Sequence, residues 1–154
     1  MIERLCINTV FNKTPSKITI MVNFLIVSEY SGDPDPGARV KIGCGPLYSL
    51  ERVQGLVSAP GRLRLWTRGC VLKVQDLGWD EDDVAQLLLG LTAADYKDSE
   101  WCDNGKGAWA ACDAYKIRRR EWVEAARKEL TIEYFLKFAI GKTGALVLMV
   151  SCHT

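Results

Sequence analysis

The sequence contains little of what several large classes of protein require. It has one histidine, His153, and its six cysteines form no CxxC pair, so zinc-knuckle spacing is missing. Its longest apolar run near the N-terminus, residues 18–27, covers ten residues and is too short to cross a bilayer. The formal net charge of +1 implies no polyanionic partner by itself. Internal repeats and low-complexity tracts are also absent, which argues against solenoid and disordered classes.

The distribution of cysteines and the apolar run predict where the protein resides. The six cysteines are scattered along the chain, which is typical of reduced thiols and not of a disulfide framework. Asn23 interrupts the apolar run, and no small-residue cleavage site follows it before Ser28, so a secretory signal peptide is not indicated. We therefore expect a cytoplasmic protein with no membrane partner.

Charge is segregated along the chain. Residues 76–103 contain nine acidic side chains and one basic one, whereas residues 116–142 contain eight basic and four acidic ones. Two solvated surfaces would explain this pattern, and so would two faces with different partners.

The chain divides into an N-terminal extension, residues 1–46, and a domain, residues 47–154. In the extension, the β-branched stretch 18–27 predicts a strand and the GDPDPG sequence at residues 32–37 predicts a loop, but no motif indicates a role.

Helix-capping residues mark the first half of the domain. Ser49, Thr67 and Asp80 each precede an apolar-periodic segment and predict three helices, the second ending at Gly78 and the third at Gly90. A fourth capping signature, Thr92 with an aspartate three residues later, predicts one short turn.

The second half of the domain has weaker signals, which lead to four predictions. We expect a loop over residues 101–107, a strand at residues 115–117, a helix over residues 120–130 and a closing hairpin. The hairpin strands are residues 131–140 and 145–152, joined by a turn at residues 141–144. The fold class is therefore α+β, with N-terminal helices packed on an antiparallel sheet.

Strict alternation along the hairpin gives His153 a position. It places Lys137 and His153 on one, wetter face, whereas Leu136, Phe138 and Ile140 form an apolar face. On this basis the apolar face also takes Leu146, Leu148 and Val150 from the last strand. A histidine beside a lysine at the rim of a sheet can exchange protons near a bound phosphate.

Three stretches carry a family resemblance. The sequence LERVQGLVSAPGRLRLWTRGCVLKVQDLGWDEDDVAQLLLGLTAADY at residues 50–96 resembles the helical half of the MqsR family of bacterial toxins. The hairpin EYFLKFAIGKTGALVLMVS is similar to the closing hairpin of that family, and Asp113-Ala114-Tyr115-Lys116 resembles its D-x-Y-[RK] strand. The resemblance covers roughly the last 105 residues, with residues 118–130 as an insertion.

The resemblance implies a RelE-like fold and a metal-independent endoribonuclease that cleaves mRNA and needs no cofactor. It implies that a cognate antitoxin protein holds the toxin inactive, as a heterocomplex; a homodimer is the other assembly to consider. The family has a catalytic basic residue in the column of His153. Its functional tyrosine falls on Phe135, with Tyr134 adjacent, and a further family lysine falls on Asp98 or, with a gap, on Lys97.

These arguments give a set of candidate site residues. The catalytic candidates are His153 as acid or base, Lys137 to stabilise the phosphorane, and Tyr134, which strict alternation points away from the other two. The candidates for holding RNA, by charge or by stacking, are Lys116, Tyr115, Lys97, Arg118 and Arg119.

Two other functions remain open. Cys112 or Cys152 with His153 could form a nucleophilic Cys–His pair, although neighbouring residues 152 and 153 would point to opposite faces of a strand. A non-catalytic RNA- or protein-binding module that retains the toxin fold is the stronger alternative, because several family site residues are replaced.

Overall fold

The computed structural model describes residues 24–34 and 41–154, which form an α+β fold. The described residues contain three α-helices and one seven-stranded sheet. The helices are α1 (Leu50–Val57), α2 (Arg68–Asp76) and α3 (Glu81–Leu89). The strands are β1 (Leu25–Ile26), β2 (Lys41–Ile42), β3 (Leu63–Leu65), β4 (Tyr96–Asp103), β5 (Ala108–Val123), β6 (Lys128–Ile140) and β7 (Val147–His153).

The sheet is mostly antiparallel. Its strand order is β2-β4-β5-β6-β7-β3, and β1 pairs with β5 beside this path. The two parallel pairs are the short ones, β1 with β5 and β3 with β7. The α+β class and the antiparallel sheet are thus confirmed, but the helices lie in the middle of the chain, after β1 and β2, and not at its N-terminus.

The predicted helix caps are present. The hydroxyl of Thr67 accepts a hydrogen bond from Cys70 N at 3.1 Å, and Asp80 forms a capping box with Asp83. Gly78 ends α2 in the left-handed region, with φ +71°, where glycine has no steric penalty. The short turn after Thr92 is a 3-10 helix, Ala93–Asp95. Local capping chemistry therefore located all three helices correctly.

The helices cover one face of the sheet, which we call the helix face. Val53, Val74 and Leu87 of the three helices belong to the same buried cluster as strand residues. The strand members include Tyr115, Ile117, Tyr134, Leu136, Phe138, Ile140, Val147, Met149 and Cys152. The other side of the sheet is called the cavity face below.

A buried carboxylate ties the segment before α1 to the sheet. Asp113, fully buried, accepts hydrogen bonds from Leu47 N at 2.9 Å, Tyr48 N at 3.1 Å and the Ser99 hydroxyl at 2.6 Å. Burial raises the pKa of Asp113, although these donors oppose the shift. The carboxylate supplies acceptors to two backbone amides that would otherwise be buried without partners.

Two predictions for the second half of the domain are wrong. Residues 101–107 are not all loop, because Trp101 and Cys102 lie within β4, where they pair with Ala111 and Ala110. Residues 120–130 are not a helix, because β5 continues to Val123 and β6 begins at Lys128. The two strands pair as far as Val123 with Lys128 and extend past the ends of β4 and β7. We call residues 116–134 the arm.

A β-bulge in β7 interrupts the predicted alternation of side chains between the two faces of the sheet. Lys137 pairs with Ser151 but Phe138 pairs with Met149, so Val150 is an extra residue in β7. Val147 and Met149 therefore face the helices, whereas the prediction had placed Leu146 and Leu148 there; Val150, also predicted there, does belong to the buried cluster. After the bulge, Ser151 and His153 turn to the cavity face, as expected for them.

The described part of the N-terminal extension joins the sheet. Leu25–Ile26 pairs with β5 and Lys41–Ile42 pairs with β4, and Glu29 forms an ion pair with Arg52 of α1. The rest of the predicted 18–27 strand, and the end of the 32–37 loop, lie outside the described residues. No helix in the described residues has both the length and the apolar character needed to cross a membrane.

One cysteine departs from the expectation of reduced thiols. Cys44 is disulfide-bonded, whereas Cys70, Cys112 and Cys152 are buried free thiols. The scatter of cysteines therefore did not predict their redox state, and it no longer supports a reducing compartment.

Candidate functional site

A cavity of about 640 Å³ lies where the end of β7 meets the first turn of α2, β4 and β6. His153, Lys137 and Glu100 all line it. Its remaining wall consists of Thr67, Gly69, Cys70 and Lys73 from α2 and its cap, and of Trp101, Cys102, Asp103, Trp109, Val150, Ser151 and Cys152. The cavity therefore combines an imidazole, an ammonium and a carboxylate with a helix N-terminus, where backbone amides favour anions.

His153 is placed by the end of β7. It pairs with Phe135 of β6, and the two rings lie with their centroids 5.2 Å apart. The imidazole is half-buried, and its Nδ1 is 3.3 Å from the backbone oxygen of Thr154. A sheet neighbour and an aromatic ring thus hold the histidine at the cavity wall.

Lys137 has a charged partner in the structure. Its ammonium donates a hydrogen bond to Glu100 Oε1 and lies 5.6 Å from the centre of the Phe135 ring. Lys137 reaches Glu100 across β5, where the intervening side chains Cys112 and Ala114 are small. Only 12% of the Lys137 side chain and 5% of the Glu100 side chain are exposed. The lysine lines the cavity, but as one half of a largely buried ion pair.

Glu100 is a site residue that the sequence did not reveal. Its second oxygen, Oε2, is buried and has no hydrogen-bond partner among the described residues, although the Lys41 ammonium forms an ion pair with it at 3.2 Å. Burial tends to raise the pKa of Glu100, but the hydrogen bond and charge of Lys137, with a further contribution from Lys41, lower it below its ordinary value. Glu100 is therefore a stable anion between two cations. Its partner Lys137 lies 37 residues away, so no local pattern could have identified it.

A basic group adjoins the cavity across the sheet. Lys116 pairs with Phe135, which pairs with His153, so these three residues form one row on the cavity face. Lys97, at an irregularity in β4, lies beside Lys116, and the hydrogen bond and charge of that neighbour lower the pKa of Lys97. Lys116 also forms an ion pair with Glu133 at 3.4 Å and lines a second cavity of about 440 Å³ with Thr92 and Arg118. Two mutually repelling ammonium groups form a site that an anion would stabilise.

Two sequence-predicted tyrosines lie elsewhere. Tyr134 is buried on the helix face, stacked near Trp79, and its hydroxyl donates to Glu121 at 2.6 Å. Tyr115 is 1% exposed and stacks on Phe138 inside the core, so it cannot stack on an RNA base. These two positions follow from strand alternation, since both tyrosines have the opposite parity to the site residues of their own strands.

The arginine run is divided between the two faces of the arm. Arg118 faces the same side as Lys116 and is 3.0 Å from Glu133. Arg119 points to the other side, where its guanidinium lies over the rings of Trp79 and Tyr134. Arg119 is therefore not part of the surface that carries Lys116, and it does not join the other RNA-binding candidates.

The buried cysteines do not provide an activated nucleophile for His153. Cys152 faces the core, and burial raises its pKa to about 11. Burial, together with the neighbouring Cys102, raises the pKa of Cys112 well above its ordinary value. A nucleophilic cysteine needs the opposite shift, because the thiolate is the reactive form.

The arrangement can support proton transfer beside a bound phosphate. His153 can exchange a proton, Lys137 and Lys73 supply positive charge at the cavity, and Lys116 with Lys97 can hold a neighbouring anion. Within the described residues, no three side chains of the His, Cys, Asp and Glu types form a group that could hold a metal ion.

Comparison with known proteins does not name a family. No protein-family model matches the chain, and no curated protein matches it.

Proposed function

We propose that this protein is a metal-independent endoribonuclease that acts as the toxin of a type II toxin-antitoxin system. The observation that carries the proposal is the convergence of the only histidine with Lys137 and the first turn of α2 on one cavity. The resemblance of residues 50–154 to the MqsR family supports a RelE-like toxin acting on mRNA. The proposal that a protein antitoxin binds this chain rests on that resemblance alone.

The reaction is an internal displacement at phosphorus. The 2′-oxygen of the RNA loses its proton and attacks the adjacent phosphate, the bond to the 5′-oxygen breaks, and that oxygen gains a proton. The products are a 2′,3′-cyclic phosphate and a 5′-hydroxyl. His153 removes the first proton as base or delivers the second as acid, and the Lys137 ammonium stabilises the charge that develops on the phosphorane.

Glu100 acts on this reaction through Lys137. Its hydrogen bond fixes the Lys137 ammonium at the cavity wall. Lys116 and Lys97 bind the phosphate beyond the Phe135–His153 row, and the half-buried Phe135 ring offers a surface for a base between them.

The test is cleavage of a defined single-stranded RNA in the presence of EDTA. Wild-type protein is expected to produce ends carrying 2′,3′-cyclic phosphate, and His153→Ala is expected to reduce the rate by at least about 100-fold, in line with the loss of a general acid or base. Thr154→Ala, which changes the exposed neighbouring residue, is the matched control and should cleave normally.

The pH profile then assigns the role of the imidazole. If His153 is the base, the rate rises with pH through the range in which histidines lose their proton; if it is the acid, the rate falls. Equal cleavage by wild type and His153→Ala would show that the site is wrong.

A binding module without catalysis is the second candidate, and one observation favours it. Lys137, the proposed phosphorane ligand, is already neutralised by Glu100. This alternative predicts RNA binding that persists in His153→Ala, no cleavage products on any RNA, and no growth arrest when the protein is induced.

A further inference from the structure

The arm carries a row of basic and aromatic side chains on the cavity face. Lys116, Arg118, Arg120 and Trp122 occupy alternate positions of β5, and their pairing with β6 has no register shift. Side chains two apart in a strand point the same way, so all four share the face of His153. Arg119 is therefore separated from the two arginines beside it in sequence, and Arg120 and Trp122 join the row of Lys116 and Arg118.

Trp122 is the exposed aromatic ring of this row. Its exposed fraction is 61%, whereas Trp101 in the wall of the cavity is only 5% exposed. Its indole Nε1 donates to Glu124 Oε2 at 2.7 Å, which fixes the ring although little packs over it. An exposed ring held in one orientation costs little entropy when a base stacks on it.

The arm arginines are held by weak, exchangeable ion pairs. Arg118 is 3.0 Å from Glu133, and Arg120 is 3.2 Å from Glu129. The arginine side chains are 75% and 72% exposed, and such surface pairs contribute little to stability. A phosphate can replace each glutamate, and it accepts the two parallel hydrogen bonds that a guanidinium offers.

The row is continuous with the cavity. From His153 it passes over Phe135 to Lys116, two strand spacings or about 10 Å, and then follows β5 to Trp122 for about 20 Å. The second cavity, lined by Thr92, Lys116 and Arg118, lies along this path. Basic side chains thus lie between two aromatic rings, those of Phe135 and Trp122, along one line that starts at the proposed reaction site.

We propose that the arm binds single-stranded RNA outside the cleavage cavity, with Arg118 and Arg120 on phosphates and Trp122 stacked on a base. The path of the RNA from the cavity along the arm rests on the proposed function, since the cavity is where the RNA strand would be cut. Charge complementarity and continuity with the cavity favour RNA over a protein partner as the occupant.

Binding is tested with RNA that cannot be cleaved. The probes are 2′-O-methyl oligonucleotides of about 12 and 4 nucleotides; the short one fills the cavity but, at about 3.4 Å per stacked step, cannot reach Trp122. Trp122→Ala and Arg118→Ala/Arg120→Ala are each expected to weaken binding of the long probe by about 10-fold and to leave the short probe unaffected. The arginine variant should also lower the slope of log K against log salt by about 1.4.

Matched substitutions on other surfaces serve as controls. Arg62→Ala removes an exposed arginine, and Leu72→Ala removes an apolar side chain that is 49% exposed. Both should bind the two probes like wild type. Conversely, the double variant Glu129→Gln/Glu133→Gln lacks the carboxylates that compete with phosphate for the arginines. It should bind the long probe about 3-fold more tightly than wild type.

Cleavage of an unmodified RNA, with its 2′-hydroxyls intact, separates this inference from the proposed function. If wild type binds the long probe through the arm but cleaves nothing, the proposed catalysis is wrong and the arm assignment stands. If the arm variants bind the long probe like wild type, the arm assignment is overturned, whatever the cleavage result. If those variants instead lower the mass of the protein in sedimentation, the arm is a protein–protein surface and the RNA assignment is equally overturned.

Discussion

Removal of the Lys137 ammonium should lower the free energy of unfolding as well as the cleavage activity. In Lys137→Met the Glu100 carboxylate stays 95% buried with only Lys41 beside it. Two opposite charges in contact are coupled by about 1 kcal/mol in water and about 4 kcal/mol at the effective dielectric constant of a protein surface. The pair is mostly buried, so the upper figure is the better guide, and Lys41 retains part of the compensation. We expect a loss of about 3 kcal/mol in the free energy of unfolding.

The companion variant separates the two effects. Glu100→Gln/Lys137→Met removes both charges, so the buried carboxylate is no longer left alone, and the loss should fall to about 1 kcal/mol. Urea unfolding of wild type, both single variants and the double variant gives the coupling free energy, expected at about 2 to 3 kcal/mol. Lys41→Ala, which removes a 61% exposed lysine, is the control and should change stability by less than about 1 kcal/mol.

The double variant should be stable and still fail to cleave RNA. If the effects of the single substitutions on stability simply add, Glu100 and Lys137 are not coupled and the assigned role of Glu100 is wrong. If the double variant cleaves at the wild-type rate, Lys137 is not the phosphorane ligand.

Three further predictions concern the core and its charges. Asp113→Ala should lower the free energy of unfolding by about 3 kcal/mol or more, because three buried donors lose their acceptor; chemical denaturation measures this, and Asp103→Ala, in an exposed position, should change it by about 0.5 kcal/mol or less. Because the pKa of Glu100 is lowered, its stabilising ion pair is fully present above the ordinary pKa of 4.5 and is lost as pH falls through the folded pKa. Urea midpoints measured from about pH 3 to 7 should therefore depend less on pH in Glu100→Gln than in wild type. An equal dependence on pH in both proteins would contradict the stabilising role of the Glu100 ion pair. Tyr115→Phe should leave RNA affinity unchanged, whereas Tyr115→Ala should destabilise the protein by about 3 to 5 kcal/mol because it empties the space against Phe138; a selective loss of RNA affinity would restore Tyr115 to the site.

Local chemistry explains which parts of the fold the sequence could predict. A cap such as Thr67 and a stop such as Gly78 act within one helical turn, so they identify α2 without knowledge of the rest of the chain. The arm gave the opposite result. Trp122, Ala126 and Leu130 have helical spacing, but the pairing of β5 with β6 decides the structure of this segment, and no local pattern shows that pairing.

The candidate site was predictable only in part. Lys137 and His153 lie on one face, as predicted, but only because the bulge at Val150 turns Ser151 and His153 to the cavity face. Glu100 and Lys41 could not be found, because their relation to Lys137 exists only after β4 and β2 have joined the sheet. The basic run 118–120 was recognised by composition, but only the strand assignment shows that its middle residue belongs to the opposite face.

The extra residue in β7 also has a consequence for sequence comparison. If Val150 occupied a regular strand position with no bulge, alternation from Met149 would turn Ser151 and His153 into the core and leave Cys152 outside. The direction in which the last three side chains of β7 point is thus set by the bulge and not by their own chemistry. A relative without the bulge would place its equivalent of His153 one column earlier, so an alignment that allows no gap in this strand would match the histidine to a core residue. Deletion of Val150 should therefore remove the bulge and leave Ser151 and His153 on the cavity face, because Ser151 would then follow Met149 in a regular strand.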